Sequence, residues 1–445
     1  MPNSVLQRQV TSAETPTKIT WSVWVKRSEL GRTMRIVSNA LSNYMAYWRF
    51  SSNDTLEIWT QDGSGNAAFA FNTNRKFRDI SAWYNIVMSV DTTQATESNR
   101  LKIWVNGIQE TSFSQSNYPS QNETIGLFGS TSGTVQIGRY ADNNTEFFSG
   151  YLSHLVITPG YAYANTDFGS FDATSGIWKF KPPVLSNWGT NGVHFKFENS
   201  GNLGLDSSGN GNNYTVVGNL KQSLDTPSNV YSTFSPLHYG DTPSSTTYGA
   251  FSNANTTYAS TQSGSPYPYT CSTLAASSGK WYAEFKILQV ASSSMVGITD
   301  GAKYPYLGDG GNKDACVYAD GQFYPGNSSF GSAFSDNDIC GVAMDLDNMK
   351  VYFHKNGTYF QSGDPTSGAT GTGAANIPTG GLGQFHFAFG DSSGNTTSCS
   401  ANFGNGFFGT TAITSAGANG NGSLFEYDVP SGYYALNTKN LNTYG

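Results

Sequence analysis

Charge is what this sequence has least of. Only 12% of its 445 residues are Asp, Glu, Lys or Arg, against about 25% in an average soluble domain. Basic residues are outnumbered, 24 Lys and Arg against 31 Asp and Glu, leaving a net charge of −7. Such a chain repels phosphate backbones and anionic lipid, so nucleic acid is not an expected partner. No run approaches the roughly 18 apolar residues of a membrane helix, and no sustained 3.5 or 3.6 period supports a coiled coil. Membrane insertion is therefore not expected. The opening MPNSVLQRQVTSAETPTK has no apolar core and no small-residue cleavage site behind one, so no secretory leader is expected. Cysteine is scarce too. Cys271, Cys316, Cys340 and Cys399 have wide, unpatterned spacing, unlike the CxxC pairs of a zinc site, and are expected to be free, buried thiols.

What is abundant points one way. Aromatic residues make up 14% of the chain and glycine contributes 50 residues. Aromatic and β-branched side chains pack a pleated sheet, and glycine supplies the positive φ of tight turns, so the composition predicts an all-β protein. The length allows about two to four domains, each able to bury a core. Residues 19–26, ITWSVWVK, alternate strictly, with Ile19, Trp21, Val23 and Val25 on one face and Thr20, Ser22, Trp24 and Lys26 on the other. That alternation predicts a half-buried strand. The same pattern returns in WYNIVMSVD (83–91), RLKIWVNG (100–107), TVQIGRY and FFSGYLSHLVI (147–157), and Asn106-Gly107 marks a type I′ hairpin. Short strands with such turns predict a sandwich or jelly roll.

From about residue 176 to 245 turn formers dominate around Pro182-Pro183, a VHFKFEN strand, DSSGNGNNYT and DTPSNVYSTFSPL, and the segment is read as an irregular bridge with one or two strands. A second strand-rich block follows: KWYAEFKIL (280–288), MVGITD, ACVYADGQFY, DICGVAMDLDNMKVYFHKNGTYF, FHFAFG and CSANFG, with a hairpin signal at Asn356-Gly357. The reading is two antiparallel β-sandwich or jelly-roll domains, 1–175 and 246–430, joined by the bridge and followed by a C-terminal tail, 431–445. The Gly/Thr/Ser stretch between Ser362 and Gly383 is expected to be an exposed loop.

The run TWSVWVKR, WYNIVMSVD, RLKIWVNG, VQIGRY and FFSGYLSHLVI resembles the laminin-G-like, concanavalin-A-type jelly roll. The later run GKWYAEFKI, MVGITD, YADGQFY and DICGVAMDLDNMKVYFHKNG resembles a SPRY-type sandwich. LDSSGNGNNYTVVGN, DTPSNVYSTFSPL and the ending VPSGYYALNTKNL look like virion-associated tail or fibre proteins of bacteriophages, particularly marine phages. The resemblance implies a structural protein on the virion surface, made in the host cytoplasm, whose lectin-like sandwiches adsorb to host glycans or receptors. It also implies contacts with other virion proteins and a homo-oligomer, a trimer by analogy. Long tail fibres differ in carrying collagen-like or coiled-coil repeats, which are not found here.

Two other readings stay open, a polysaccharide depolymerase and a capsid decoration or head fibre. Glucanases among concanavalin-type jelly rolls set carboxylates on alternate positions of one strand, about 5 to 5.5 Å apart for a retaining reaction. Here Glu57, Glu198 and Glu284 stand singly, and Asp345 and Asp347 sit in a turn before a hairpin, where side chains bond nearby amides. None of His154, His194, His238, His354 and His386 lies beside a G-x-S-x-G elbow. The expectation is a protein that is not an enzyme.

Binding candidates are more numerous. Tyr140, Asp142, Asn143 and Asn144 in RYADNNTEFF either hold a sugar or calcium or form a solvated hairpin loop. Asp206 in DSSGNGNN either ligates calcium or caps a turn, and it lacks an EF-hand's terminal Glu. Calcium is the one cofactor these loops could take. In the second sandwich Tyr304, Tyr306, Asp309 and Tyr324 either form a glycan or receptor site, since exposed tyrosines lose few torsions on binding, or lie in a stretch whose aromatics pack on neighbouring loops. Trp24 and Trp59 are either core of a second layer or stacking platforms.

Overall fold

A computed structural model describes residues 4–142, 144–238, 249–260, 267–302, 306–308, 313–392 and 396–445. The chain is all-β apart from short 3-10 turns and one helix, Thr438–Tyr444, among the described residues, and it divides into two compact units, Met1–Gln222 and Ser223–Gly445.

Unit 1 is a jelly roll of two antiparallel sheets. The larger sheet has eight strands, ordered Phe113–Asn117, Ala67–Lys76, Thr55–Gln61, Ala46–Phe50, Met34–Asn39, Thr134–Ile137, Val5–Gln9 and Thr215–Val217. The smaller has six, ordered Val193–Phe195, Gly150–Pro159, Lys18–Arg27, Tyr84–Asp91, Leu101–Val105 and Ile108–Gln109. Their facing sides interdigitate as one core. Ile19, Trp21, Val23 and Val25 of the alternating strand enter it, with Trp21 stacked on Trp48 of the opposite sheet at 5.5 Å.

The polar-looking side of that strand is buried as well, contrary to the half-buried expectation. Residues 160–190 fold back over the outer face of the six-stranded sheet. Phe168 packs on Val87 and Val156 with Tyr163, Leu185 and Trp188 beside them. Trp24 meets the edge of Phe180 at 6.3 Å, and the Trp178 indole N–H donates to Asn85 Oδ1 at 2.9 Å. Thr20 is satisfied by the same layer, donating to the Tyr161 carbonyl (3.0 Å) and accepting from Tyr163 N–H (2.8 Å). At the Asn106-Gly107 turn both residues have positive φ, 48° and 78°, as the hairpin requires. A Cβ at Gly107 would lie 2.2 Å from the Trp178 ring, so this turn also needs glycine for space.

Residues 176–222 are not a bridge between sandwiches. Val193–Phe195 pairs with Gly150–Pro159, and Thr215–Val217 pairs with Val5–Gln9, so the segment extends both sheets of unit 1. Short strands broken by glycine and asparagine hide this role in the sequence, because three-residue strands carry no readable period.

Unit 2 is a second antiparallel sandwich, with a nine-stranded sheet centred on Lys280–Gln289 and Ile339–Asp345 and a six-stranded sheet centred on Ser294–Thr299 and His386–Asp391. Trp281, Phe285, Phe387, Phe389 and Phe403 share its core. All four cysteines are buried and free. Residues 431–445 are docked rather than a tail: Tyr434–Ala435 runs parallel to Trp281 and Tyr282, and Asn437 caps the final helix by accepting from Asn440 N–H at 2.9 Å. The 362–383 stretch is likewise tied down, with Ala375 opposite Val351 and both Ala375 and Ile377 in the core.

Candidate binding face

The outer face of the eight-stranded sheet is part-exposed at Tyr47, Arg49, Glu57, Trp59 and Asn72 and closed over Arg35, Ser38, Ala70 and Gln136. Register writes two rows of side chains across it. In the first, Asn72, Glu57, Arg49 and Arg35 are direct cross-strand partners on four successive strands. In the second, Ala70, Trp59, Tyr47, Ser38, Gln136 and Gln7 follow one another across six. The period of two places Tyr47 and Arg49, and Glu57 and Trp59, on the same side of their strands, while Trp48, Phe50, Leu56 and Ile58 fill the core. Arg35 joins this face through an irregularity between Arg35 and Val37 that lets Ile36 and Val37 both point inward.

Arg49 holds the first row together. Its Nε donates to Glu57 Oε2 at 2.7 Å, its Nη1 lies 3.4 Å from Glu146 Oε1, and its Cζ sits 4.5 Å from the Tyr47 ring centre. Glu146 comes from the loop after Thr134–Ile137 and also accepts from Arg35 Nε. Arg35 Cζ lies 4.5 Å from the Tyr47 ring and 3.8 Å from that of Tyr140. Burial pushes the Tyr47 phenol above its ordinary value. Beside this cluster the Tyr47 and Trp59 rings stack at 5.6 Å, and both are half-buried. Arg35 Nη1 and Asn72 Oδ1 are buried without a hydrogen-bond partner among the described residues.

Chemically the face combines a flat aromatic pair with planar amide, carboxylate and guanidinium groups. Such a set stacks against the C–H face of a sugar ring and hydrogen-bonds its hydroxyls. It is not an acid–base pair by construction, since Glu57 and Glu146 are both engaged by guanidinium donors. The Asp345 and Asp347 pair performs turn chemistry: Asp345 accepts from Asn348 N–H and Nδ2, and Asp347 from Gly279 N–H.

Of the residues singled out from sequence, Tyr140 is brought onto this face, over Arg35. Asp142 and Asn144 are exposed in the same loop, whose ends are closed by Tyr140 N–H donating to the Thr145 carbonyl at 2.8 Å. Asn143, Tyr304 and Asp309 lie outside the described residues. Tyr306 and Tyr324 belong to unit 2, where their rings pack at 5.8 Å from Tyr267 and 6.4 Å from Tyr318.

Asp206 is buried and serves a turn. Its Oδ1 accepts from the backbone N–H of His194 and Ser208, and its Oδ2 from Ser208 Oγ and Asn212 N–H. No group of three or more His, Cys, Asp or Glu placed to hold a metal occurs among the described residues. Trp24 and Trp59 part company, the first buried under Phe180, the second on the part-exposed face. Tyr47, Arg49, Glu57 and Asn72 were not joined by sequence reading. The alternation in AYWRF and TLEIWTQ was the available signal.

Residues 5–161 match the family model described as the Concanavalin A-like lectin/glucanases superfamily, so unit 1 is a concanavalin-like jelly roll. Comparison with curated proteins finds no match. Among solved structures, the chain is similar to the SPRY domain of human HERC1, at 14% identity and a TM-score of 0.30, covering 38% of this chain and 96% of that one. It is also similar to a heptameric SAP-like pentraxin from Limulus polyphemus, at 20% identity and a TM-score of 0.27, covering 37% of this chain and 72% of the pentraxin.

Proposed function

We propose that the protein is a non-enzymatic, lectin-like adsorption protein that holds surface glycan on the part-exposed sheet face of unit 1. The observation that carries this reading is the stacked, part-exposed Tyr47 and Trp59 pair beside the Asn72, Glu57, Arg49, Arg35 row, on the sheet face opposite the one that residues 160–190 cover. We further propose that it works on a bacteriophage particle, as a tail or surface fibre component displayed in several copies, with unit 2 a SPRY-like module. The likeness of LDSSGNGNNYTVVGN, DTPSNVYSTFSPL and VPSGYYALNTKNL to virion proteins supports that setting. Multiple copies turn weak single-site binding into firm attachment.

The test is to apply labelled, purified chain to intact bacterial cells and to their isolated surface polysaccharide, with particle adsorption followed in competition. Binding to both, with competition, is the expected result. Binding to neither would overturn the adsorption reading and leave decoration of the particle. Release of reducing ends from the polysaccharide would replace it with a depolymerase.

A further inference from the structure

We infer that unit 2 carries a second, independent saccharide site, at one end of its six-stranded sheet. Four strands meet there: Asp314–Tyr318 and His386–Asp391 end where Ser294–Thr299 and Gln322–Tyr324 begin, with Met295 opposite Tyr318 and Ser294 opposite Asp391. The connections are held by backbone bonds, Ser392 N–H to the Ser293 carbonyl (3.2 Å), Ala319 N–H to Ser294 (2.8 Å) and Gly321 N–H to Tyr318 (2.9 Å). Between them lies a shallow, solvent-open depression of about 300 Å³.

The lining selects the ligand. Tyr318, Asp320, Gln322 and Asn327 line it together with Ser292, Ser293 and Ser392, and the side chains of Tyr318 and Ser392 hydrogen-bond each other. No Lys, Arg or His is among these lining residues, and the one charge is the Asp320 carboxylate. A phosphate, sulfate or acidic sugar would meet that carboxylate with no cation to offset it, so an anion is disfavoured. A hydrocarbon ligand would strip water from polar groups for little apolar contact. A neutral sugar suits the wall, because each hydroxyl both donates and accepts. Asp320 is set in place for this. Gln322 N–H donates to its Oδ1 at 3.0 Å and Gln322 Nε2 to its Oδ2 at 3.1 Å, which leaves each carboxylate oxygen a further lone pair and Gln322 its amide oxygen. Tyr318, braced edge-on by Tyr324 at 6.4 Å, supplies an aromatic ring for the C–H face of a pyranose.

Saturation-transfer NMR with methyl glycosides of glucose, galactose, mannose and N-acetylglucosamine, and with methyl glucuronide as the anionic control, tests the proposal on the full chain. The background is Trp59→Ala, which removes the unit 1 platform. The expected result is transfer to at least one neutral glycoside, not to the glucuronide, unaffected by EDTA and weakened about tenfold in affinity by Asp320→Ala or Gln322→Ala. Both side chains are exposed, so these variants keep the fold. Absence of transfer in this background, or transfer that survives both Asp320→Ala and Gln322→Ala undiminished, would overturn this site while leaving the unit 1 reading standing. Preference for the glucuronide, or loss with EDTA, would also overturn it.

Discussion

Tyr47 and Trp59 stand directly opposite each other on neighbouring strands, with ring centres 5.6 Å apart and planes 19° from parallel. Cross-strand pairs of this kind stabilise a sheet by about 0.2–1 kcal/mol, a sum that many residues could supply. What the pair adds is part-exposed aromatic surface on a face otherwise built largely of amides and charges. The Cζ atoms of Arg49 and Arg35 each lie 4.5 Å from the Tyr47 ring centre.

Trp59→Ala therefore separates binding from folding. Affinity for the glycan recognised by unit 1 is expected to fall about tenfold or more, while stability falls by about 1 kcal/mol. Tyr47→Phe, which keeps the ring, is expected to retain most of the affinity. Glycan titration by calorimetry, paired with urea unfolding, reads both quantities. A Trp59→Ala protein that binds as wild type would place the glycan elsewhere.

Arg49 bridges Glu57 and Glu146, and its removal leaves Glu57 without its guanidinium partner while Glu146 keeps Arg35. Arg49→Ala is expected to destabilise unit 1 by about 1 kcal/mol, shrinking at high salt because all three groups are partly exposed. Arg49→Lys restores the charge but not the forked geometry, so stability should recover more than glycan affinity. Equal recovery of both would assign Arg49 a purely electrostatic role.

How far this arrangement could be foreseen depends on what periodicity can carry. The alternation in 19–26 names Ile19, Trp21, Val23 and Val25 as core, and they are. The same alternation cannot tell that Trp24 is covered, because the cover, residues 160–190, is held by scattered contacts such as Trp178 with Asn85, 93 positions apart. Glu57 looks solitary for the same reason, its companion Glu146 lying on a loop remote in sequence. They converge on Arg49 only through sheet register and the loop after Thr134–Ile137, and register across eight strands is a property of the assembled sheet.

Unit 1 should weaken in acid. His154 Nδ1 and His194 Nε2 lie 3.1 Å apart, with Phe180 against one ring and Trp188 stacked on the other. Burial lowers His154 to about 4; burial and then the neighbouring His154 lower His194 to about 3. Glu198 and Asp206 act the other way without restoring either. The unfolded chain takes up protons at its histidines near pH 6.5, where the folded unit refuses them. The stability these groups lend is thus present above about pH 6.5 and lost as pH falls toward 4, at up to about 1.4 kcal/mol per pH unit for each ring. Urea midpoints between pH 8 and 4 should show this slope, and His154→Phe should flatten it. A midpoint that rises on acidification in that window would contradict the assignment.

In unit 2 the corresponding buried group is an acid. Glu284 accepts from Tyr282 Oη (3.1 Å), Asn402 Nδ2 (3.3 Å) and the backbone N–H groups of Glu426 and Tyr427 (2.9 Å each), so one carboxylate pins the 426–427 segment to the central strand. Behind it Tyr282 Oη is 2.6 Å from His354 Nε2, and His354 Nδ1 accepts from Gly357 N–H. Glu284→Ala strands four donors at once, and the expected loss is about 3–5 kcal/mol. Faster amide exchange should appear first at 426 and 427. Burial raises Glu284 to about 7, so its contribution is complete below about pH 4.5 and is lost as pH rises through 7, the opposite sense to the histidines of unit 1. Glu284→Gln cannot titrate. The stability difference between wild type and Glu284→Gln should therefore shrink as pH rises from 4.5 to 7, and a difference that stays flat over that range and falls only below pH 4.5 would mean the four donors outweigh burial and hold the group ionised.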